Sequence, residues 1–377
     1  MDSVTTQAPR TGDGARRVLV LQGGGALGSY QAGVYEGLAE ADFRPEWIAG
    51  ISIGAINAAL IAGNKREDRL PRLRAFWETS SVGVPFAADV SNATARSFLN
   101  EAAAAWTAAA GVAGFFRPRM PPAMFYPPGA PEALSYYDTG PLRETLSRLV
   151  DFDRINAKEM RLSLGAVNVR TGQLVYFDNT ERKIGPEHVM ASGALPPGFP
   201  PIEIDGEHYW DGGVVSNTPL QYVMQTVTKD DLIILQVDLF NAFGRLPRTL
   251  LEVAEREKDI RYASRTAHNL ELGLKVHEAK VALRALLDSL PPELRSTPNA
   301  EMLGDLTYEN AVTVVKLIYR RKPYEGPSKD FEFSRQTMLE HWAAGLADLR
   351  KAMEKRGEMV CERRKATTRL IEMEPIK

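Results

Sequence analysis

A serine held between two glycines, Gly50-Ile51-Ser52-Ile53-Gly54, is the group of this chain best suited to act as a nucleophile. It follows Trp47-Ile48-Ala49, which reads as the end of a buried strand, and it opens the alanine-rich helical pattern Ile53 to Ala62, closed by Gly63. At such a strand-to-helix bend the hydroxyl stands clear of its own backbone and the flanking residues must be small. Gly50 and Gly54 meet that demand. Ser52 then sits at the positive end of a helix, where a developing anion is stabilised. The chemistry this suggests is covalent acyl transfer, in which a serine attacks an ester carbonyl.

A second glycine cluster lies upstream. Arg17 to Leu21 reads as a short apolar strand running into Gln22-Gly23-Gly24-Gly25-Ala26-Leu27-Gly28 and then into a helix. Three successive glycines, Gly23, Gly24 and Gly25, leave backbone N–H groups free to converge on one oxygen, which is what an oxyanion hole requires. The same stretch satisfies G-x-G-x-x-G through Gly23, Gly25 and Gly28, so a nucleotide-dependent oxidoreductase is a rival reading. That rival expects an acidic residue about 20 positions on, at the end of the second strand. The second strand ends in Ile51-Ser52, and Glu46 precedes it.

The third element is Tyr209-Trp210-Asp211-Gly212-Gly213, preceded by the proline-rich loop Leu195 to Pro201. A carboxylate beside two glycines at a strand end can reach a neighbouring loop without steric competition, although Asp-Gly-Gly alone is only a turn signal.

Taken in order, Gly-Gly-Gly-x-x-Gly, Gly-x-Ser-x-Gly and Asp-Gly-Gly resemble the patatin-like phospholipases, lipid acyl hydrolases with a Ser-Asp dyad. Met190-Ala191-Ser192-Gly193-Ala194-Leu195-Pro196 and Asn217-x-Pro219 extend the resemblance, which covers roughly residues 15 to 245. It implies Ser52 as nucleophile, Asp211 as base and the Gly23-Gly24-Gly25 backbone as oxyanion hole, with Gly28, Gly212 and Gly213 completing the motifs. Many members carry a basic residue where this chain has Leu27, so no cation is expected beside that hole. The five histidines suit a dyad better than a triad, since none follows Asp211 in a triad-like setting and His208 is only three residues before it. An unaided aspartate is a weak base, with a pKa of about 3.9, so the dyad needs a dry carboxylate. Tyr209, Trp210 and the proline loop are the expected source of that dryness. A catalytically silent lipid-binding scaffold is the third reading, and the intact motif residues weigh against it.

These groups need a framework to bring them together. Helices follow the first two strands, residues 161 to 178 alternate as a hairpin, and Leu232 to Asp238 is an apolar run suited to a covered parallel sheet. The expected fold is three-layer α/β/α with a mainly parallel central sheet, plus a mostly helical C-terminal region. Residues 1–15 read as a disordered lead, 16–245 as the hydrolase domain and 246–377 as an accessory region, with a frayed, basic tail from about 356. Within that last region, helices are expected over 250–269 and 270–290, a strand over 312–319, and a helix capped by Ser334 with the apolar stripe Met338, Trp342, Leu346, Leu349 and Met353. Residues 82–135, rich in Ala, Pro, Met and aromatics, read as an insertion able to act as a lid or cap. Their longest uncharged run, Ala102 to Phe116, has 15 residues against about 20 for a membrane span.

At 377 residues, 44% hydrophobic and 25% charged, the chain has ample material for a core, and a net charge of −2 gives no reason to expect nucleic acid. One cysteine, Cys361, excludes an internal disulfide framework, and no cluster has metal-ligand spacing, so no metal and no cofactor are expected. The expected partner is a lipid or other hydrophobic ester substrate. The expected location is cytoplasmic, with peripheral contact at a membrane surface, since the N-terminus does not read as a secretory signal. A homo-oligomer is compatible with the composition.

Overall fold

Val18 and Val20 pack on one face of the first strand while Leu19 and Leu21 pack on the other, all four buried, so this strand is covered on both sides. The computed structural model describes residues 14–83, 92–227, 229–354 and 368–372. Most of the lead, part of the insertion and most of the tail, including Cys361, fall outside the described residues.

The chain begins with β1 (Arg16–Leu21), α1 (Gly28–Glu40), β2 (Trp47–Gly50), α2 (Ile53–Ala62) and α3 (Arg66–Ser80). The insertion holds α4 (Ala93–Ala110) and a two-stranded ribbon of β3 (Arg117–Pro118) and β4 (Tyr137–Asp138). Asn92, part of an Asn-x-Thr sequence, caps α4 by accepting from the Thr94 and Ala95 amides. Next come α5 (Gly140–Leu149), α6 (Phe152–Asn156), β5 (Arg161–Asn168), β6 (Leu174–Asp178), α7 (Pro186–Ser192), β7 (Ile202–Ile204), β8 (Glu207–Asp211), α8 (Leu220–Thr226) and β9 (Leu232–Asp238). The remainder is α9 (Leu250–Ser289), α10 (Pro292–Arg295), α11 (Pro298–Asp305), β10 (Val312–Ile318), α12 (Arg335–Glu354) and β11 (Thr368–Glu372).

One sheet runs in the order β11-β10-β9-β1-β2-β5-β8-β7, with β6 also pairing β5. From β11 to β5 every pairing is parallel, while β6, β7 and β8 run antiparallel to their partners. α8 and α9 cover one face, and α1, α2, α3 and α12 lie over the other. This is the expected three-layer arrangement.

The pairing on β5 is what makes a site. β6 occupies one edge of β5; the other edge is shared by β2, which ends with Gly50 opposite Leu164, and by β8, which ends with Asp211 opposite Ala166. Two strands therefore terminate head to head within two residues on one ladder, or about 7 Å at the strand repeat. The turn after β2 and the carboxylate closing β8 are thrown together by that register.

Two expectations need correcting. The helices read over 250–269 and 270–290 are one helix of 40 residues, because neither proline nor a left-handed residue stands at Asn269-Leu270 to stop it. The tail read from 356 contains β11, an edge strand parallel to β10. The insertion's α4 is tied to the C-terminal region: buried Arg96 donates to Thr337 Oγ1 at 3.2 Å and pairs with Glu340, and Ser328 donates to Glu101 at 2.6 Å.

The stripe on α12 is core. It packs on α1, where small residues allow near backbone contact: a Cβ at Gly33 would overlap the Trp342 carbonyl, and one at Gly345 would overlap the Tyr30 carbonyl. Gly345→Val is accordingly expected to destabilise the fold by about 3 kcal/mol, read as a lowered midpoint in thermal or urea unfolding.

Candidate active site

Ser52 has φ +57° and ψ −126°, a conformation that L-residues rarely adopt, and the surroundings hold it there. Its amide donates to both the Oγ and the carbonyl of Ser192 at 3.1 Å, and Ser192 Oγ donates to Gly165 O at 2.7 Å. Neither neighbouring glycine can carry a side chain: a Cβ at Gly50 would strike the Gly54 carbonyl, and one at Gly54 would strike that of Leu21. The tight bend read in the sequence is present, with Ser52 preceding α2.

Asp211 closes β8. Its amide donates to Ala194 O at 2.9 Å, so the segment 192–194 anchors both Ser52 and Asp211 through backbone bonds. The Ser52 side chain and the Asp211 carboxylate line the same cavity, and Asp211 Oδ1 accepts from the Gly213 amide at 2.7 Å. Only 2% of the residue is exposed, and this burial outweighs the lowering effect of Ser52 and the Gly213 amide, pushing its pKa up to about 7.

The glycine turn sits opposite. The Gly23 amide donates to Asn217 O at 3.1 Å, and Asn217 Nδ2 donates to Gly23 O at 2.9 Å, so that amide is already used. The Gly24 and Gly25 amides have no acceptor among the described residues and line the same cavity as Ser52 and Asp211. Gly25 has φ +54°, and a Cβ there would overlap the Asp330 carbonyl, which accepts from the Ala26 amide at 2.7 Å. Only glycine fits. Gly28 touches Ile53 and Trp77, and Gly212 lies against Gly165, so both serve close packing.

A buried polar chain supports the turn. Gln22 Oε1 accepts from the Leu239 and Phe240 amides at 2.6 and 3.1 Å, Gln31 donates to Gln22 O at 2.7 Å, and Asn57 donates to Gln31 at 3.0 Å. Gln22, Gln31, Ser192 and Asn217 were not read as site residues from the sequence. For Ser192 and Asn217 the signal was present in two quoted motifs, without a role attached.

The cavity has a volume of about 590 Å³ and is mostly apolar. Ile56, Phe115, Phe116, Phe199, Phe240 and Phe333 form much of its wall, and the rings of Phe116 and Phe199 lie 5.1 Å apart. The proline loop lines it through Leu195 to Phe199, as anticipated. Tyr209 instead packs on Phe177 at 5.1 Å, and neither it nor Trp210 lines the cavity. Tyr262, Asp330, Phe331 and Phe333 reach it from beyond residue 246.

None of the histidines borders this cavity: His188 accepts from the Gly185 amide, His277 contacts Asn310 and Thr368, His341 pairs with Glu325, and His208 and His268 are exposed. Leu27 is fully buried beneath the glycine turn. Among the described residues no group of three acidic, histidine or cysteine side chains converges to hold a metal. The dinucleotide reading finds no carboxylate after β2, which ends at Gly50 and gives way to the Ser52 bend.

Asn217→Ala is expected to lower kcat roughly 10- to 100-fold with a smaller change in KM, because it frees the Gly23 carbonyl and loosens the turn while leaving the apolar side chains of the cavity wall in place. Steady-state kinetics on a soluble ester measures the split.

The sequence model described as patatin-like phospholipase matches residues 19–224, and a second, described as patatin phospholipase, matches residues 260–364. No curated protein sequence matches the chain significantly. Among solved structures, VipD from Legionella pneumophila is 14% identical, covering 93% of this chain and 72% of its own at a TM-score of 0.41. The ExoU–SpcU complex from the type III secretion system of Pseudomonas aeruginosa gives 16% identity, 78% and 58% coverage and a TM-score of 0.26. With more than half its length matched by the first model, the chain belongs to the patatin-like phospholipase family, a family of lipid hydrolases.

Proposed function

We propose that this protein is a serine acyl hydrolase of lipid esters, working through a Ser52-Asp211 dyad and a covalent acyl-enzyme. The observation that carries the reading is that the strained Ser52 bend and the buried Asp211 carboxylate, brought to adjacent positions on β5, line one apolar cavity. Ser52 Oγ attacks the ester carbonyl while Asp211 accepts its proton. The tetrahedral oxyanion collects hydrogen bonds from the Gly24 and Gly25 amides, which have no acceptor among the described residues. Collapse expels the alcohol, which takes the proton back from Asp211. Water then attacks the acyl-serine, again losing a proton to Asp211; collapse expels the Ser52 oxygen, which takes that proton back, and the fatty acid departs.

A base whose pKa lies near neutrality is well matched to this task, since it is substantially ionised at working pH yet basic enough to take a proton. The burial that raises it also excludes water from the acyl chain. Residues 16–245 form the hydrolase unit in this reading, and the region 246–377 completes it by walling the cavity and holding the glycine turn through Asp330.

The test is labelling with a fluorophosphonate, followed by peptide mapping, and release of fatty acid from phospholipids and simple esters of graded acyl length. Phosphonylation at Ser52 and preference for acyl chains long enough to fill the cavity are expected. A folded protein that neither reacts at Ser52 nor cleaves any ester would be the silent scaffold instead.

A further inference from the structure

A second cleft is larger than the one holding Ser52. It encloses about 750 Å³ between the 241–248 segment, the start of α9 and the 320–323 turn. Five arginines line it. Two are engaged within the protein: Arg256 donates to the Asn241 and Ala242 carbonyls, and Arg321 pairs with buried Glu255. The other three, Arg245, Arg248 and Arg320, are exposed, and none of their guanidinium groups has a hydrogen-bond or ion-pair partner among the described residues. The acidic residues of the cleft do not offset them fully. Asp259 is paired with Lys329 at 2.7 Å, which leaves Glu252, whose Oε2 accepts from the Arg248 amide at 2.6 Å.

Beside these cations stand side chains that water solvates poorly. Phe243 is 84% exposed and Leu246 and Leu250 are each 88% exposed, the first two on the segment that carries Arg245 and Arg248 and the third at the start of α9. A soluble phosphate compound would satisfy the arginines and leave those side chains in water. A bilayer carrying anionic phospholipids satisfies both, with phosphates in the cleft and the apolar side chains among the acyl chains. Arginine is the side chain suited to this, because its planar fork binds two phosphate oxygens at once.

The cleft also adjoins the catalytic cavity. Phe240 lines the cavity and Asn241, the next residue, lines the cleft; on α9, Arg256 and Asp259 face the cleft while Tyr262 faces the cavity. We infer that the Arg245, Arg248 and Arg320 cleft, with Phe243, Leu246 and Leu250 at its side, is a docking site for the anionic phospholipid surface of a membrane. The site is separate from the scissile ester. Its purpose rests on the lipid-hydrolase reading, and it puts the charge selectivity that buried Leu27 cannot supply on the surface beside the cavity.

The test uses the full chain carrying Ser52→Ala, so that vesicles stay intact, and measures co-sedimentation with vesicles of phosphatidylcholine alone or mixed equally with phosphatidylglycerol. Binding is expected only with phosphatidylglycerol present, and it should weaken as salt is raised. Combined Arg245→Glu, Arg248→Glu and Arg320→Glu is expected to reduce it on the order of a hundred-fold, at about tenfold or less per charge near the surface. Circular dichroism and melting should match the parent, and Leu246→Asp, which keeps the arginines, should also weaken binding. Equal binding to neutral vesicles, unchanged binding after charge reversal, or capture of inorganic phosphate or a short DNA duplex by a protein that ignores vesicles would overturn the proposal. The salt and lipid dependence of the parent decides the matter even if the triple variant does not fold. Vesicle binding without esterase activity in the wild type defeats only the hydrolase reading, and esterase activity without vesicle binding defeats only this one.

Discussion

Ser52→Ala is expected to reduce ester hydrolysis by at least about 10⁴-fold and to abolish fluorophosphonate labelling, with the fold intact. The oxyanion amides and the apolar wall remain in that variant, so substrate still binds. What disappears is the proposed nucleophile, the hydroxyl that lines one cavity with Asp211, Gly24 and Gly25. Ser192, the nearest hydroxyl by sequence block, is committed to Gly165 and buried, so it cannot substitute. A companion variant separates chemistry from strain. Ser52→Gly and Ser52→Ala both lack the nucleophile, but only glycine adopts φ +57° with ψ −126° freely. Ser52→Gly is therefore expected to unfold at higher denaturant than Ser52→Ala, by about 1 kcal/mol. Equal stabilities would mean the bend stores no strain at this residue, and hydrolysis surviving in both would remove Ser52 from the mechanism.

How much of this was legible in the sequence depended on range. The Ser52 bend, the glycine turn, β9 and the hairpin of β5 and β6 are local patterns, and the structure reproduces them because each is set by short-range sterics and by burial on two faces. The head-to-head meeting of β2 and β8 on β5 is not local. It depends on register across more than a hundred residues, and only the family resemblance brought Ser52 and Asp211 together beforehand. The same holds for Asn217 with Gly23, Ser192 with Ser52, and Gln22 with the Leu239 amide, which are bonds between residues 194, 140 and 217 positions apart. Polar residues of this kind look like ordinary turn or helix residues until their partners are known. β11 was missed because five residues at a sheet edge, three of them exposed and followed by charge and proline, carry no alternation strong enough to mark a strand.

The region beyond residue 246 looked separable because its composition turns charged and helical after Pro247. In the structure many of the α9 charges face outward, with Glu255 and Asp259 buried and paired, while β10 continues the sheet and α12 buries its stripe on α1. Its aromatic residues Phe331 and Phe333, together with Tyr262, stand in the cavity wall, and Lys258 anchors the same segment by pairing with Asp330 at 2.7 Å. A hydrolase unit cut at 245 would therefore lose one side of the cavity and the Asp330 carbonyl that holds the glycine turn.

Asp211→Asn should match Ser52→Ala in its effect on turnover, near 10⁴-fold, and should differ from it in pH dependence and stability. In the wild type the carboxylate must be ionised to accept the serine proton. With its pKa raised to about 7, kcat/KM is expected to climb about tenfold per pH unit below neutrality and level off above it. The stability consequence has the opposite sign. Unfolded, the group releases its proton near its ordinary value of 3.8; folded, it holds that proton until about 7. Between these values the folded state binds more protons than the unfolded one, so stability falls as pH rises through the window, and the full cost is present above 7. A shift of this size corresponds to a few kcal/mol at most. Asparagine keeps the shape and the acceptor for the Gly213 amide but carries no buried charge. Asp211→Asn is thus expected to melt above the wild type at pH 8 and to converge with it near pH 4, while losing its activity at both. A variant that melts below the wild type at pH 8 would show that the ionised carboxylate stabilises the fold, and the carboxyl would then be an ordinary acid rather than a base held in reserve by burial.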